Sequence, residues 1–131
     1  MKNELIREWI EKADEDYEAA SVLFAKKNKK FFNVVCFHAQ QAAEKYIKAF
    51  LVLHQVDFPK THDLPLLVKL CMKIDPEFEL IMDLARFLNL FSVDLRYPGD
   101  KSSHADAKKA FATLTEIRSF FQIKLALKNL K

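Results

Sequence analysis

Apolar residues return along this chain at intervals of three and four, the mark of helices that each bury one face. Trp9, Ala13, Tyr17, Ala20 and Phe24 form the first such stripe, predicting a helix of about 22 residues that ends near Lys26. A lysine-rich turn leads into Phe32, Val35, Ala39, Ala42, Tyr46 and Phe50, a second helix reaching about His54 before Pro59 closes the segment. Asp63 is placed to cap a short third helix bearing Leu64, Leu67, Val68 and Cys71, with Pro65 tolerated in its first turn. A fourth helix is predicted from Asp75-Pro76, presenting Ile81, Leu84, Leu88, Phe91 and Leu95, until Arg96-Tyr97-Pro98-Gly99 breaks it. Ser103 and Asp106 form a capping-box-like start to a fifth helix with Ala107, Ala110, Phe111, Leu114, Ile117 and Phe121 inward, running to about Leu127.

A 22-residue helix is about 33 Å long, more than twice the radius of gyration of roughly 14 Å expected for a compact domain of this size. The long helices must therefore lie side by side. The predicted fold is all-α: an antiparallel up-and-down four-helix bundle with one additional short helix, a single domain over residues 1–131. Trp9, Phe24, Val35, Tyr46, Phe50, Leu67, Leu84, Leu88, Phe111, Leu114 and Ile117 are expected in the core or at a dimer interface.

Composition sharpens this picture. Half the residues are apolar, twelve are Phe, and Gly99 is the single glycine, which leaves few positions for the turns that β-hairpins require. Cys36 and Cys71 lie in apolar helical patterns without a CxxC partner and read as buried thiols in a reducing compartment. No stretch approaches the roughly 20 apolar residues of a membrane span, so a cytoplasmic protein with no membrane association is expected. The four histidines, His38, His54, His62 and His104, make no metal-binding pair, and one glycine cannot build a phosphate cradle. No metal and no cofactor is expected.

The net charge of +3 is too small to diagnose a nucleic-acid partner, but its distribution is polar along the chain. Residues 1–20 are mainly acidic; Lys26, Lys27, Lys29 and Lys30 make a basic turn, and Lys101, Lys108, Lys109, Arg118, Lys124, Lys128 and Lys131 make a basic C-terminal region. Solvated helix faces and an anion-facing patch both fit. Gln41, Glu44, Lys45 and Lys48 share one face of the second helix, opposite its apolar stripe, which reads as a solvated surface with local ion pairing. His62 reads as a cap for the third helix, and Arg96 as a cation closing the C-terminus of the fourth.

Three strings, His38-Ala39-Gln40-Gln41-Ala42-Ala43-Glu44-Lys45-Tyr46-Ile47-Lys48, Thr61-His62-Asp63-Leu64 and Arg96-Tyr97-Pro98, together resemble the HEPN family, over about residues 8–125. The resemblance implies a helix bundle, commonly homodimeric, associated with nucleotide or RNA and paired with a minimal nucleotidyltransferase in a toxin–antitoxin-like system. It marks Gln41, Glu44, Lys45, Lys48, His62 and Tyr97 as candidate ligand-binding residues. It also implies that Arg96 and His104 are candidate catalytic residues of a metal-independent endoribonuclease, in which a guanidinium stabilises phosphoryl charge and an imidazole shuttles the proton of an attacking 2′-hydroxyl. Seven residues separate Arg96 from His104, where the family's ribonucleases have four to six. A non-catalytic dimeric interaction protein is the third alternative.

Overall fold

The computed structural model describes residues 2–92 and 101–126. Five α-helices carry the fold: α1 (Lys2–Ala25), α2 (Phe32–Leu53), α3 (Leu64–Met72), α4 (Met82–Asn89) and α5 (His104–Ala126), with 3-10 turns at Lys29–Phe31 and Pro76–Ile81. The described residues contain no strand. The bundle is organised around α2, which packs against α1, α5, α3 and α4.

Small residues explain how closely α1 and α2 approach. Ala13 and Ala20 on α1 and Ala39, Ala42 and Ala43 on α2 are fully buried, so the backbones meet without bulky side chains holding them apart. Larger groups fill the other side of α2: Tyr46, Phe50, Phe78 and Phe121 form a cluster of rings, with Phe50 and Phe78 centroids 4.4 Å apart. Val35, Tyr46, Phe50, Leu67, Leu88, Leu114 and Ile117 lie in the core as expected. Trp9, Phe24 and Phe111 are only half-buried, because α1 and α5 touch along a shallower line than either makes with α2; Leu84 of α4 is half-buried too.

The predicted helix ends are set by the residues that cap them. Asp63 accepts from the Leu66 N–H at 3.2 Å, and its neighbour Leu64 donates its N–H to Asn89 Oδ1 at 3.0 Å. With one glycine in the chain, α1 and α2 are followed by left-handed Lys27 (φ 54°) and Gln55 (φ 59°), a conformation that strains a residue with a Cβ.

The fourth helix differs from its prediction at both ends. After Asp75, whose carboxylate accepts from the Glu77 N–H at 3.0 Å, the chain makes a 3-10 turn. That geometry aligns residues three apart and buries both Phe78 and Ile81. The α-helix begins only at Met82 and stops at Asn89, where N–H groups of Leu90, Phe91 and Ser92 bond three residues back and tighten the chain. Phe91 therefore lies beyond the helix, and Leu95 lies outside the described residues. Arg96, read as a cation closing this helix, lies outside the described residues as well.

A second correction concerns α2. Of the polar face formed by Gln41, Glu44, Lys45 and Lys48, Glu44 is 3% and Lys48 7% exposed, Gln41 and Lys45 are half-buried, and the neighbouring Gln40 is fully buried. A helix at the centre of a bundle keeps little outward surface, so the buried polar residues on it must find partners within the protein.

Both cysteines are buried and free, as expected. Burial pushes the Cys36 thiol up to about 11 and raises that of Cys71 further.

Candidate functional site

The two helix starts, α2 and α5, come together at one end of the bundle. Ser103 closes a reciprocal cap with Asp106: the Ser103 N–H donates to Asp106 Oδ2 at 2.9 Å and the Asp106 N–H to Ser103 Oγ at 3.0 Å. This is the predicted capping box. One residue earlier, the Ser102 N–H donates to Asn33 Oδ1 at 2.5 Å, tying the approach to α5 onto the first turn of α2. Asn28 caps the intervening 3-10 turn by accepting from the Lys30 N–H at 3.1 Å.

Between these anchored segments lies a cleft of about 500 Å³ lined by Lys29, Lys30 and Lys101, with Asn33, Ser102 and Ser103. Phe32 forms its apolar wall. All three lysines are exposed. Their positive charge adds to the partial positive charge at the N-terminus of α5, an arrangement that favours anions. His104 opens α5 beside this cleft. Its exposed ring is edge-on to Phe32 at 5.5 Å and stacked against Phe24 at 5.8 Å, which fixes its orientation. Arg96 and Tyr97 lie outside the described residues.

The other sequence candidates gather elsewhere. Glu44 accepts from Lys48 Nζ at 2.8 Å, from His62 Nδ1 at 2.8 Å and from Gln40 Nε2 at 3.3 Å. Trp9 and Phe58 flank the Lys48 ammonium, each ring centroid 5.7 Å away. Gln40 also donates to the His62 carbonyl at 3.2 Å, and Gln41 donates to Gln40 Oε1 at 2.7 Å. His62 is thus the outer end of a buried polar network and not the cap of α3, which Asp63 supplies. Its side chain is 61% exposed where that of Glu44 is 4%.

Lys45 belongs to a third group. It meets Asp16 of α1 at 2.5 Å, and His38 meets the other oxygen of the same carboxylate at 2.8 Å. Burial works to raise the Asp16 carboxyl, but hydrogen bonds from His38 and Lys45 outweigh it and hold the group below the usual carboxylate range. The structure therefore joins Gln41, Glu44, Lys48 and His62 in one network and sends Lys45 to another. Glu44 lies about 18 Å along α2 from Phe32 and the cleft.

Sequence reasoning flagged Lys29, Lys30, Lys101 and Arg118 only as charge and missed Asn33, Gln40 and Asp16 as partners. Only Gln40, four residues before Glu44, left a visible signal, the i,i+4 spacing of side chains that meet on a helix. Among the described residues no cluster of three His, Cys, Asp or Glu side chains could hold a metal ion, and no helix is long and apolar enough to cross a membrane.

The fold has solved counterparts. An archaeal HEPN homologue superposes with a TM-score of 0.71 at 21% identity, covering 91% of this chain and 96% of its own. A protein from Thermus thermophilus does so with a TM-score of 0.70 at 21% identity, covering 91% and 97%. No curated protein sequence matches. The sequence model of the HEPN domain matches residues 6–124, nearly the whole chain, and the protein belongs to the HEPN domain family.

Proposed function

We propose that this protein is a nucleotide- or RNA-associated HEPN module whose phosphate-binding surface is the cleft at the start of α5. One observation carries the reading: exposed Lys29, Lys30 and Lys101 converge on a cleft of about 500 Å³ at a helix N-terminus, where the lysine charge has the same sign as the backbone's. The Asp106 carboxylate, held by the Ser103 N–H, offsets part of this charge and leaves the three lysines in excess; such a surface neutralises phosphates and reads no sequence by itself. Family membership supports a homodimer and a minimal nucleotidyltransferase as partner, in a toxin–antitoxin-like pair.

The test is binding of single-stranded RNA to the full chain across a salt series. Replacing Lys29, Lys30 and Lys101 together by Ala is expected to weaken binding and to flatten the salt dependence by about 2 in log–log slope, at roughly 0.7 per phosphate contact on single strands. Unchanged affinity and slope would place the anion surface elsewhere. Co-purification with the product of a neighbouring nucleotidyltransferase gene tests the partnership.

A catalytic reading is favoured by one further feature, the exposed His104 ring oriented beside the cleft. In a metal-independent endoribonuclease this imidazole takes the 2′-hydroxyl proton while Arg96 stabilises the phosphoryl charge. Incubation with RNA in chelator, with analysis for 2′,3′-cyclic phosphate ends, separates the two readings. Cleavage abolished by His104→Ala identifies the ribonuclease; binding without cleavage leaves the module non-catalytic.

A further inference from the structure

A second cleft, of about 200 Å³, opens where α1, α2 and α5 meet, lined by Asp14, Tyr46, Arg118 and Gln122 over the apolar side chains of Ile10 and Phe121. It lies below the 300–1,000 Å³ typical of drug-sized ligands, so it suits a fragment such as one heteroaromatic base and not a whole nucleotide. Arg118 is 14 residues beyond His104 on the same helix, about 21 Å away.

Its polar groups are already held in place. Tyr46 donates its hydroxyl hydrogen to Asp14 Oδ1 and accepts from Arg118 Nε at 3.0 Å. Burial first, and then the Asp14 carboxylate, keep the Tyr46 hydroxyl protonated well above the ordinary tyrosine range. Arg118 lies 4.2 Å from the Tyr17 ring centroid, and its Nε stands 3.6 Å from Asp14 Oδ1. Tyr17 is in turn stacked on Phe111, Phe111 on Phe24 and Phe24 on His104, at 5.5–5.8 Å. Tyr46 and Phe121 are stacked nearly parallel, 18° apart, and back the cleft with packed rings.

The chemistry of this lining is amphoteric. With Nε engaged by Tyr46, the geometry left for a ligand is end-on approach to the two terminal guanidinium nitrogens, which need an acceptor. Beside them Asp14, whose Oδ1 takes the Tyr46 hydroxyl, accepts further donors at its remaining lone pairs. A lone phosphate meets Asp14 as a like charge and a lone amine meets Arg118 as one. The partner that satisfies both is neutral and planar, with an acceptor next to donors along one edge.

We propose that this cleft receives a guanine base, with Arg118 donating to O6 and Asp14 accepting from N1–H and the 2-amino group. Guanine is the base whose edge sets one acceptor beside two donors. Adenine and cytosine offer Asp14 a single amino group, and uracil a single ring N–H. Arginine to guanine O6 is also a common base contact in nucleic-acid recognition. The proposal rests on the nucleotide-associated reading and deepens it: backbone phosphates belong to the lysine cleft and base identity to this one.

The experiment measures binding of the full chain to GMP and AMP, and to short single-stranded RNAs differing by one guanine-to-adenine replacement. The guanine ligand is expected to bind on the order of tenfold more tightly, the scale of one good base contact. Preference in the RNAs alone assigns the base to a strand, and preference in the mononucleotides assigns it to free nucleotide as well. Asp14→Asn and Arg118→Gln, each checked by thermal melting, should erase the preference. Absence of preference in wild-type protein, which requires no variant, overturns the proposal, and so does a preference that survives both substitutions. RNA bound through the lysines without base preference sinks this proposal alone. GMP binding that needs Asp14 and survives lysine replacement supports it even if RNA does not bind.

Discussion

Lysine and histidine occur in two settings within this bundle, and the settings give them opposite roles. On α2, Lys48 is nearly buried and its ammonium is matched by Glu44, which also engages His62 and Gln40. At the start of α5, Lys29, Lys30 and Lys101 stand in water around a cleft, with His104 exposed alongside. The first set is chemically satisfied by the protein. The second offers its charge to something outside. Residue type alone does not separate them; burial and partners do. The difference teaches that the polar string on α2, which carries much of the family resemblance, is first of all a way of making a central helix compatible with having little solvent side.

Removing one member of the buried network tests that distinction most severely. Glu44→Ala leaves the Lys48 charge buried without its partner and is expected to cost about 3–5 kcal/mol of folding stability, read by chemical denaturation. A loss below about 1 kcal/mol, in the range of exposed pairs, would show that water reaches Lys48 and that the α2 network resembles the cleft. Leu88→Ala, at a position with no exposure, is a control of similar size at about 2–5 kcal/mol.

Acid should expose the network between α1 and α2. Asp16 has a folded carboxyl held below its ordinary value, so its contribution to stability is present above the unfolded pKa of about 3.9 and is lost as pH falls through the lower folded value. Wild-type protein should therefore lose stability below about pH 4 more steeply than Asp16→Asn. Parallel melting-temperature profiles for the two would show that the His38 and Lys45 contacts do not persist in solution.

At the cleft, effects on stability should be smaller. Ser103→Ala removes one arm of the α5 cap and is expected to cost about 1 kcal/mol, with a weakening of RNA binding disproportionate to that cost because the cap holds Ser102 and His104 in position. Equal binding in the variant would detach the cap from the site. Smallest of all, Gln55→Gly relieves the left-handed backbone after α2 and is expected to stabilise by about 1 kcal/mol or less. A destabilised variant would assign the Gln55 side chain a contact worth more than the strain.

Much of this fold is written in local pattern. The stripes of α1, α2 and α5, the Asp63 cap and the Ser103–Asp106 box each follow from residues three or four apart, so periodicity finds them. What escapes is whatever depends on distant partners. Asn89 ends α4 while accepting from Leu64, and no spacing near Asn89 announces that. Glu44 and Lys48 look solvated because a helical wheel cannot know that α1 and the 61–63 segment close over them. The candidate site fares similarly: Lys29 and Lys101 are 72 positions apart, and the signal that joins them, Asn33 accepting from Ser102, exists only in the folded chain.

The two cysteines give this molecule built-in clocks. Each thiol is sealed from solvent, and burial keeps it protonated at neutral pH, whereas the thiolate is the form that alkylating reagents attack. Modification must then wait for the protein to open. Cys36 sits on the first turns of α2, one helical turn past Asn33, and Cys71 near the end of α3. Their separate labelling rates report opening at the lysine cleft and at the far side of the bundle. A ligand seated between α2 and α5 should slow the Cys36 clock more than that of Cys71.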